Sequence, residues 1–246
     1  SKNVSFEGIS IFYGAQMSDY YIANDSGTAV ADITPKALTL GSAHASDKVY
    51  DGTVDAAITA TLSGVIGDDD VTFDGNGAFQ DKNVGVGKPV TADGSLSGAD
   101  AGNYTVDPPS GLTASITPRP LGVTGMTVED KVYDGTTAAT LTGGVLDRAV
   151  TGDDISLDGS NAGTFAGKDV GQNIAVSVSV SLAGTDAGNY TLTQPSGLAG
   201  NITPKELTVT GALAADKVYD GTADAAISGG ALSGVVSGDI VNLSNT

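Results

Sequence analysis

The sequence predicts an all-β protein built from tandem β-sandwich repeats arranged end to end as an elongated rod. Short runs of β-branched and alternating apolar residues are separated by clusters of Gly, Asp, Asn and Pro, as in small β domains. No stretch keeps an apolar period of about 3.6 residues long enough for a substantial helix. In addition, several sequence markers recur with one period, which is the signature of a repeat protein.

The composition limits what the core of each repeat can contain. Of the 246 residues, 40% are hydrophobic, but there are only 5 Phe and 8 Tyr and no Trp. Small cores of Val, Ile, Leu and Ala are therefore expected. The length alone would suit one large domain or two ordinary ones, and the repeats favour a different division of the chain.

The charge balance disfavours several classes of partner. The chain carries 29 acidic and 11 basic residues, a net charge of -18. Because such a surface repels phosphate backbones and anionic lipid heads, we expect no nucleic-acid binding and no direct membrane insertion. The absence of cysteine excludes thiolate metal sites and cysteine nucleophiles. No apolar run reaches the roughly 18 residues of a membrane span and Ser1 opens no signal peptide, so any targeting segment is expected elsewhere.

Three sequence markers recur with spacings of 83 and 86 residues. D-K-V-Y-D-G-T begins at Asp47, Asp130 and Asp216. A-G-N-Y-T begins at Ala101 and Ala187. I-T-P begins at Ile33, Ile116 and Ile202. Because independent markers share the same spacing, the repeat is a property of the whole unit and not of one motif.

The markers divide the chain into four segments. Residues 37–119 and 120–205 form two repeats, and residues 206–246 are the N-terminal part of a further repeat. Residues 1–36 are interpreted as the C-terminal part of a preceding repeat, because Tyr21 precedes Ile33 by the same interval that separates Tyr104 from Ile116. This first segment contains I-S-I-F-Y-G-A-Q-M-S-D-Y-Y and lacks A-G-N-Y. The alternative is two true domains with degenerate flanks.

Within one repeat, the apolar runs predict the strands. From Ala37 they read A-L-T-L, A-A-I-T-A-T-L, D-V-T-F, K-P-V-T, N-Y-T-V and L-T-A-S-I-T, with turn signals between them. The next repeat contains I-A-V-S-V-S-V, in which Ile174, Val176, Val178 and Val180 would line one buried face. These patterns predict a sandwich or a barrel.

One motif narrows the fold. D-A-G-N-Y-T-V at Asp100 and D-A-G-N-Y-T-L at Asp186 resemble the tyrosine corner of immunoglobulin domains, in which the tyrosine hydroxyl bonds backbone across a corner. This makes Tyr104 and Tyr190 structural candidates. Val106 and Leu192 stand where those domains place a cysteine, and would fill the space of half a disulfide. The sequence therefore predicts immunoglobulin-like sandwiches.

The D-K-V-Y-D-G-T marker has a structural interpretation as well. Asp-Gly suits the positive φ of a tight turn, and the flanking Val and Tyr can alternate between core and surface. Tyr50, Tyr133 and Tyr219 are therefore predicted to be packing residues, with a binding role as the alternative. The junctions I-T-P-K-A-L-T-L, I-T-P-R-P-L-G-V-T and I-T-P-K-E-L-T-V-T leave almost no linker, which predicts a semi-rigid rod of roughly 35 to 45 Å per repeat.

No catalytic residue is predicted. A nucleophilic triad needs a base, and His44 is the only histidine, replaced by Thr127 and Leu213 at the equivalent positions. No phosphate-binding loop is present, and adjacent carboxylates such as Asp153 and Asp154 rarely converge on a substrate. The sequence therefore predicts a protein that is not an enzyme and needs no cofactor.

Calcium is the one metal that the sequence suggests, because this chain is rich in oxygen ligands and extracellular arrays often stiffen by binding calcium. The alternative is that these aspartates are solvated turn residues, since no D-x-D-x-D-G loop occurs. The candidates recur between repeats and are Asp47, Asp51, Asp69, Asp70, Asp100, Asp130, Asp134, Asp153, Asp154 and Asp186. A second stiffening device would be an isopeptide bond from Lys82 or Lys168 to Asn103 or Asn189.

The combination of V-Y-D-G-T, A-G-N-Y and I-T-P-K resembles the YDG and MBG repeat families, which occur in tandem in large secreted bacterial adhesins of the filamentous-haemagglutinin type. The resemblance covers nearly the whole chain and implies a non-catalytic spacer on a secreted or cell-surface protein. The implied partners are neighbouring repeats, with host-cell or matrix glycans and proteins bound through other regions. Alternatives are a glycan- or matrix-binding module and an accessory domain of a secreted hydrolase.

Overall fold

The structure is a computed structural model that describes residues 2–10, 16, 19–23 and 25–244. Most of the segment I-F-Y-G-A-Q-M-S therefore lies outside the described residues. The chain divides into two compact units. Unit 1 comprises Ser1–Lys48 and Thr53–Ile116, and unit 2 comprises Val49–Gly52 and Thr117–Thr246. The short segment Val49–Gly52 of the first D-K-V-Y-D-G-T marker thus belongs to unit 2.

The described residues as far as Thr117 include eleven strands and the 3-10 helix Ala101–Asn103. The strands are β1 (Lys2–Phe6), β2 (Gly27–Ala31), β3 (Lys36–Ala45), β4 (Lys48–Val49), β5 (Asp55–Ser63), β6 (Thr72–Phe73), β7 (Asn76–Phe79), β8 (Gly85–Ala92), β9 (Leu96–Ser97), β10 (Tyr104–Val106) and β11 (Leu112–Thr117). This confirms the all-β prediction for the first repeat.

One long ladder dominates this part of the chain. Its order is β10-β3-β5-β7-β8-β11-β4, while β6 pairs with β9 and β1 pairs with β2 in separate two-stranded sheets. The register shifts between Gly41 and His44 in β3 and between Ala114 and Ile116 in β11. Because such bulges bend a strand, one ladder can curl around a core where two sheets would otherwise be needed.

The core of unit 1 follows the two-residue period of its strands. In β5, Ala56 and Ile58 are buried while their neighbours are exposed. The same alternation buries Leu112, Ala114 and Ile116 in β11. The core is therefore aliphatic, as the composition predicts, with Phe79 as its largest apolar ring.

Unit 2 is built in the same way, with a 3-10 helix at Ala187–Asn189. Its strands are β12 (Arg119–Leu121), β13 (Val123–Thr124), β14 (Thr127–Val128), β15 (Lys131–Val132), β16 (Ala138–Thr142), β17 (Val145–Leu146), β18 (Ser156–Asp158), β19 (Ala162–Phe165), β20 (Gly171–Ser177), β21 (Ser181–Ala183), β22 (Tyr190–Leu192), β23 (Ala199–Thr203), β24 (Thr208–Ala214) and β25 (Ile227–Ser233). The main ladder has the order β14-β16-β19-β20-β23-β15. Smaller sheets pair β12 with β22, β13 with β17, β18 with β21, and β24 with β25.

The predicted apolar face of I-A-V-S-V-S-V lies in the core of unit 2. Val176 and Val180 are core residues, and Ile174 and Val178 pack against them partly buried. Strand β20 nevertheless ends at Ser177, earlier than the alternation suggests. Three residues beyond its end, the Gln194 side chain bonds the backbone of Val180 in place of a neighbouring strand. Its Oε1 accepts from the Val180 N–H at 2.9 Å, and its Nε2 donates to the Val180 carbonyl at 2.8 Å.

The part of the chain after Pro204 buries little. Strand β24 is exposed along its whole length although it pairs with β25 from Thr208 to Ala214. None of the helices in the described ranges is long and apolar enough to cross a membrane. The end-to-end rod arrangement stays a prediction.

Candidate functional site

The first aspartate of the D-K-V-Y-D-G-T marker fastens the last strand of its own repeat. Asp47 Oδ1 accepts a hydrogen bond from the Ser115 N–H at 2.6 Å in unit 1. In unit 2, Asp130 accepts from the Asn201 N–H at 2.8 Å and from Asn201 Nδ2 at 2.9 Å. The side-chain bond from Asn201 is the main reason that the pKa of Asp130 is lowered. This aspartate therefore joins elements that lie about one repeat apart in sequence.

The lysine, second aspartate and threonine of the marker close the turn. Lys131 Nζ donates to Asp134 Oδ1 at 2.8 Å, and the Thr136 N–H donates to the same oxygen at 2.9 Å. Together these donors, Lys131 first, lower the pKa of Asp134 to about 2. Lys217 and Asp220 repeat the ion pair at 2.8 Å. The marker is thus a self-contained, hydrogen-bonded turn.

The tyrosine of the first marker lies in the interior of unit 2. Tyr50 has no exposed surface. Its hydroxyl donates to Asp153 Oδ2 at 2.7 Å, and its backbone N–H donates to the Thr117 carbonyl at 2.9 Å. The Arg119 guanidinium approaches the Tyr50 carbonyl at 3.5 Å. A residue from the first repeat by sequence is therefore a core residue of the second unit.

Tyr190, the corner tyrosine of the second repeat, completes this cluster. Its hydroxyl donates to the same Asp153 Oδ2 at 2.6 Å and accepts from the Val150 N–H at 3.0 Å. The rings of Tyr50 and Tyr190 meet edge to face with centroids 5.3 Å apart. Burial first, and then the bond to Asp153, raises the pKa of Tyr190 to about 12. We call Tyr50, Asp153, Tyr190 and Val150 the tyrosine cluster.

The glycine of the marker allows the turn to approach the cluster closely. Gly52 has a φ of +82°, and a Cβ at this position would lie 2.7 Å from Val150 Cγ1. A side chain is therefore disfavoured twice, by the left-handed backbone and by the contact. Gly135 repeats both features, with a φ of +79° and 2.9 Å to Val236 Cγ1.

Unit 1 contains the same corner around Tyr104. The Tyr104 hydroxyl donates to Asp69 Oδ2 at 2.5 Å and accepts from the Ile66 N–H at 3.1 Å. The bond to Asp69 is the main cause of the raised pKa of Tyr104. The hydroxyl thus contacts backbone, as in the tyrosine corner, but the partner lies 38 residues upstream and not a few residues upstream as in immunoglobulin domains. Val106, two residues after the tyrosine, is half-buried.

Leu192 is half-buried in the corresponding place of unit 2. The sequence patterns indicated Asp69 and Asp153 only as calcium candidates and missed that each accepts a hydrogen bond from a corner tyrosine. Asp69 and Asp153 fill this role, each three residues after the turn residue that donates to the tyrosine hydroxyl, Ile66 or Val150. The recurrence of G-D-D or G-D at this place in every repeat is the signal that points to them.

The other marker tyrosines differ from Tyr50. Tyr133 is half-buried, and Lys168 Nζ lies 3.3 Å from its hydroxyl and 5.5 Å from its ring centroid. Tyr219 is 92% exposed, which departs from the expectation that it packs. The two tyrosines differ because only the first marker packs against another turn. Tyr50 lies against the Val150 turn of the next repeat, and a Cβ on the adjacent Gly52 would meet Val150 Cγ1. A Cβ on Gly221, next to Tyr219 in its marker, would have no neighbour within 4 Å.

Each unit contains two further candidate aspartates that are joined by hydrogen bonds through backbone amides. The Asp70 N–H donates to Asp100 Oδ2 at 3.0 Å, while Asp70 Oδ2 accepts from the Ala99 N–H at 3.1 Å. In unit 2, the Asp154 N–H donates to Asp186 Oδ2 at 3.0 Å. The Thr185 N–H, which donates to Asp154 at 3.0 Å, is the main cause of the lowered pKa of Asp154. In both units these hydrogen bonds join the residue after the tyrosine acceptor, Asp70 or Asp154, to the start of the A-G-N-Y-T segment.

The described ranges contain no group of three or more His, Cys, Asp and Glu residues arranged to hold a metal ion. Asp51 lies in the Y-D-G turn between Tyr50 and Gly52. His44 is exposed on β3, where Nε2 lies 2.8 Å from Thr59 Oγ1. Calcium binding and the isopeptide bond stay predictions. Calorimetric titration of the chelator-treated chain and its intact mass are the measurements that decide them.

The residues that build the turn and the corner are those of the repeated sequence markers. The sequence model of the YDG domain matches residues 34–111, 117–197 and 203–246. The chain belongs to the YDG domain family. The resemblance predicted from V-Y-D-G-T and A-G-N-Y is thereby confirmed, and the comparison with curated proteins gives no match.

The YDG matches leave the first part of the chain uncovered. They begin at residue 34, so the interpretation of residues 1–36 as the end of a preceding YDG- or MBG-type repeat stays a prediction. Within the matched ranges, the residues of the Y-D-G sequence have different structural roles. In the first repeat, the tyrosine fills the cluster and the glycine allows its close approach.

Proposed function

We propose that this YDG chain is a non-catalytic structural spacer of a bacterial cell-surface or secreted adhesin, which holds an adhesive region away from the cell. The observation that supports the proposal most is the tyrosine cluster. A marker residue of one repeat, Tyr50, packs fully buried against Asp153 and Tyr190 of the following repeat. Because a residue of one repeat is part of the core around the next repeat, the second repeat depends on the first for its stability, and this dependence suits a tandem spacer.

The chemistry of the repeated residues supports the same proposal. The marker aspartates, lysines and threonines make hydrogen bonds to one another and to backbone amides. Residues engaged in this way contribute to the stability of the fold and have fewer free donors and acceptors for a substrate. The net charge of -18 favours solubility and repulsion between neighbouring copies of the chain.

Small-angle X-ray scattering tests the spacer proposal. We expect the maximum dimension of the chain to correspond to roughly 35 to 45 Å per repeat, with the scattering profile of an extended particle. The matched comparison is Tyr50→Ala, which removes the ring that fills the tyrosine cluster and should broaden the distribution of shapes. A compact particle, or a profile that Tyr50→Ala leaves unchanged, would contradict the proposal.

Binding assays address the alternatives. A glycan array and adhesion to matrix-coated surfaces should give no saturable signal for this chain if adhesion is carried by other regions. Strong saturable binding that Tyr219→Ala removes would favour a binding module, because Tyr219 is 92% exposed. Hydrolysis of a polysaccharide by the chain would favour an enzymatic role.

A further inference from the structure

Six Asp-Gly pairs occur in the chain, and their glycines share one backbone conformation. The aspartates are Asp51, Asp74, Asp93, Asp134, Asp158 and Asp220. The glycine that follows each of them has a positive φ, between +65° and +82°. In such a pair the glycine nitrogen can attack the carboxyl carbon of the aspartate side chain, since glycine has no Cβ to obstruct the approach. Because the glycine conformation is shared, the bonds of the aspartate carboxylate and of the glycine peptide decide which pair reacts.

The Asp158 carboxylate lies against the nitrogen that would attack it. The Gly159 N–H donates to Asp158 Oδ1 at 2.8 Å, so the two reacting groups are already in contact. Asp158 is the last residue of β18, and both residues of the pair are exposed to water. Groups that are held in contact react faster, because less of the encounter has to be achieved by random motion.

At three other pairs the carboxylate binds a different N–H, that of the residue two positions on. These hydrogen bonds join Asp93 to Ser95 at 3.2 Å, Asp134 to Thr136 at 2.9 Å and Asp220 to Thr222 at 3.0 Å. In the last two pairs a lysine donates to the same carboxylate oxygen. Attack by the glycine nitrogen has to break these bonds first. With Lys131 as the main cause, the pKa of Asp134 is lowered to about 2, so the protonated carboxyl that the reaction consumes is rare there.

Asp74-Gly75 is the equivalent pair of the first repeat, and its glycine is fixed against a strand. The Gly75 carbonyl accepts from the Ile58 N–H in β5 at 2.7 Å. A Cβ on Gly75 would clash with the Ile58 carbonyl, which shows how closely the two backbones approach. Because the peptide has to rotate before the glycine nitrogen can reach the carboxyl carbon, this anchoring opposes the reaction at Asp74.

The loop after Asp158 is longer, and the corresponding bond to the neighbouring strand falls on another residue. Two more residues separate Asp158 from Phe165 than separate Asp74 from Phe79. The Leu141 N–H, which is the counterpart of the Ile58 N–H, donates to the Asn161 carbonyl at 3.1 Å, two residues beyond the glycine. Gly159 therefore lies in the turn before the anchored residue, where its peptide can rotate more easily.

The Asn76-Gly77 pair could react by the same route with loss of ammonia, but it lies inside a paired strand. Asn76 pairs with Ala57 of β5, and Gly77 pairs with Ala92 of β8. Since β7 is bonded on both sides, this peptide is held in the extended conformation. We therefore expect it to react slowly in the folded chain.

We propose that Asp158 is a modification site, at which the Asp158-Gly159 peptide converts spontaneously to an isoaspartyl linkage. The Gly159 nitrogen forms a bond to the carbon of the protonated Asp158 carboxyl, while the N–H bond and one carbon–oxygen bond break and release water. The product is a succinimide ring. Water then adds to the ring carbonyl that belonged to the Asp158 main chain and breaks its bond to nitrogen. Gly159 is left attached through the side-chain carbon, with no net change in composition.

The modification changes the backbone at the end of a strand. It adds one methylene between Asp158 and Gly159, next to the position where Asp158 pairs with Ser181 of β21. It also leaves a free main-chain carboxylate, which is the chemical group that isoaspartyl methyltransferases methylate with S-adenosylmethionine. The proposal is independent of the spacer function, since it depends only on the geometry of this turn.

Peptide mapping of the full 246-residue chain tests the proposal. The chain is incubated at about pH 5, where carboxyl groups are partly protonated, and samples are digested at intervals. Electron-transfer mass spectrometry then distinguishes isoaspartate from aspartate at equal mass. Isoaspartate at Asp158 should accumulate at least about tenfold faster than at Asp74 or Asp134. The Asp158 peptide should also show an intermediate that is lighter by one water molecule and a product that an isoaspartyl methyltransferase methylates.

Variants of the chain make the test specific to this contact. Asp158→Glu should abolish the signal, because its longer side chain cannot form the five-membered ring. Asp158→Asn and Asp74→Asn are a matched pair, since each loses ammonia by the same attack and neither depends on the pKa of a carboxyl group. Asp158→Asn should deamidate about tenfold faster than Asp74→Asn. Lys131→Met should speed the reaction at Asp134 and leave that at Asp158 unchanged.

The unfolded chain is the control for the role of the fold. In guanidinium chloride the pairs at Asp158 and Asp74 should react at nearly equal rates, because neither glycine is then anchored. Equal rates at these two pairs in the folded chain would overturn the proposal. So would an advantage of Asp158 that persists in guanidinium chloride, since it would then come from the local sequence and not from the contact with Gly159.

Discussion

A single carboxylate oxygen, Asp153 Oδ2, accepts hydrogen bonds from the hydroxyls of two tyrosines, Tyr50 and Tyr190. Tyr50 precedes Asp153 by 103 residues in the sequence. The two rings touch edge to face over this acceptor. Because both tyrosines come from repeated markers, the contact joins the two motifs by which the family is recognised.

Removal of the shared acceptor should destabilise unit 2 more than the equivalent change destabilises unit 1. Asp153→Ala leaves two buried tyrosine hydroxyls without their acceptor, whereas Asp69→Ala leaves one, that of Tyr104. We expect a loss of about 2 to 4 kcal/mol for Asp153→Ala and about half of that for Asp69→Ala. Urea unfolding followed by circular dichroism measures both.

Asp153→Asn is the control for this pair, because its amide oxygen still accepts a hydrogen bond. It should recover part of the stability. If Asp153→Ala and Asp69→Ala cost the same, the second tyrosine contributes nothing through this carboxylate.

Alanine at the marker glycine should be tolerated differently in different repeats. Gly52 and Gly221 both have a positive φ, +82° and +78°, but only a Cβ on Gly52 would meet a neighbour, Val150 Cγ1 at 2.7 Å. Backbone strain of about 1 to 2 kcal/mol is common to both variants. The contact should add about 1 to 3 kcal/mol to the cost of Gly52→Ala. Thermal unfolding of the two variants beside the parent chain gives the difference, and equal melting temperatures would refute the packing argument.

Alkaline solution should unfold the tyrosine cluster. The pKa of Tyr190 is raised from 10.0 to about 12, so the folded chain holds this proton more tightly than the unfolded chain does. The resulting stabilisation is complete below about pH 10 and is lost as the pH rises towards 12. Melting temperatures across this range should fall, and Tyr190→Phe should flatten the fall. An unchanged slope in Tyr190→Phe would assign the effect to other groups.

The turn network makes a prediction for acid solution. The pKa of Asp134 is lowered from 3.8 to about 2, first by Lys131 and then by Thr136. Since the folded pKa is depressed, this carboxylate stabilises the turn above about pH 4 and stops doing so as the pH falls towards 2. Carboxyl carbon NMR should find the low pKa, and Lys131→Met should raise it towards 3.8. Asp220, whose pKa is lowered by Lys217, is the internal comparison and should keep its value in that variant.

Local patterns in the sequence were sufficient to predict core positions in the strands and the positions of the turns. The alternation in I-A-V-S-V-S-V correctly places Val176 and Val180 in the core, and Asp-Gly correctly indicates turns with positive φ at Gly52 and Gly135. Strand and turn preferences depend on neighbouring residues, which is why one sequence is enough to find them.

Contacts between residues of different repeats could not be predicted from the sequence in this way. Nothing in the residues around Tyr50 indicates that its hydroxyl reaches Asp153, because a hydrogen bond between residues so far apart depends on how the repeats follow one another. The turn aspartates suggested a metal site, since carboxylates in recurring positions suit calcium as well as they suit tyrosine hydroxyls and backbone amides. The structure gives these aspartates tyrosine and backbone N–H partners, and calcium binding stays a prediction.

The side chain of Gln194 has a consequence for how the protein behaves at high concentration. Its amide occupies both the donor and the acceptor of Val180, immediately beyond the point where β20 ends. An open backbone position next to apolar residues is where a foreign strand can attach and start aggregation. By occupying that position from within the same chain, Gln194 makes the Val180 backbone unavailable to a foreign strand.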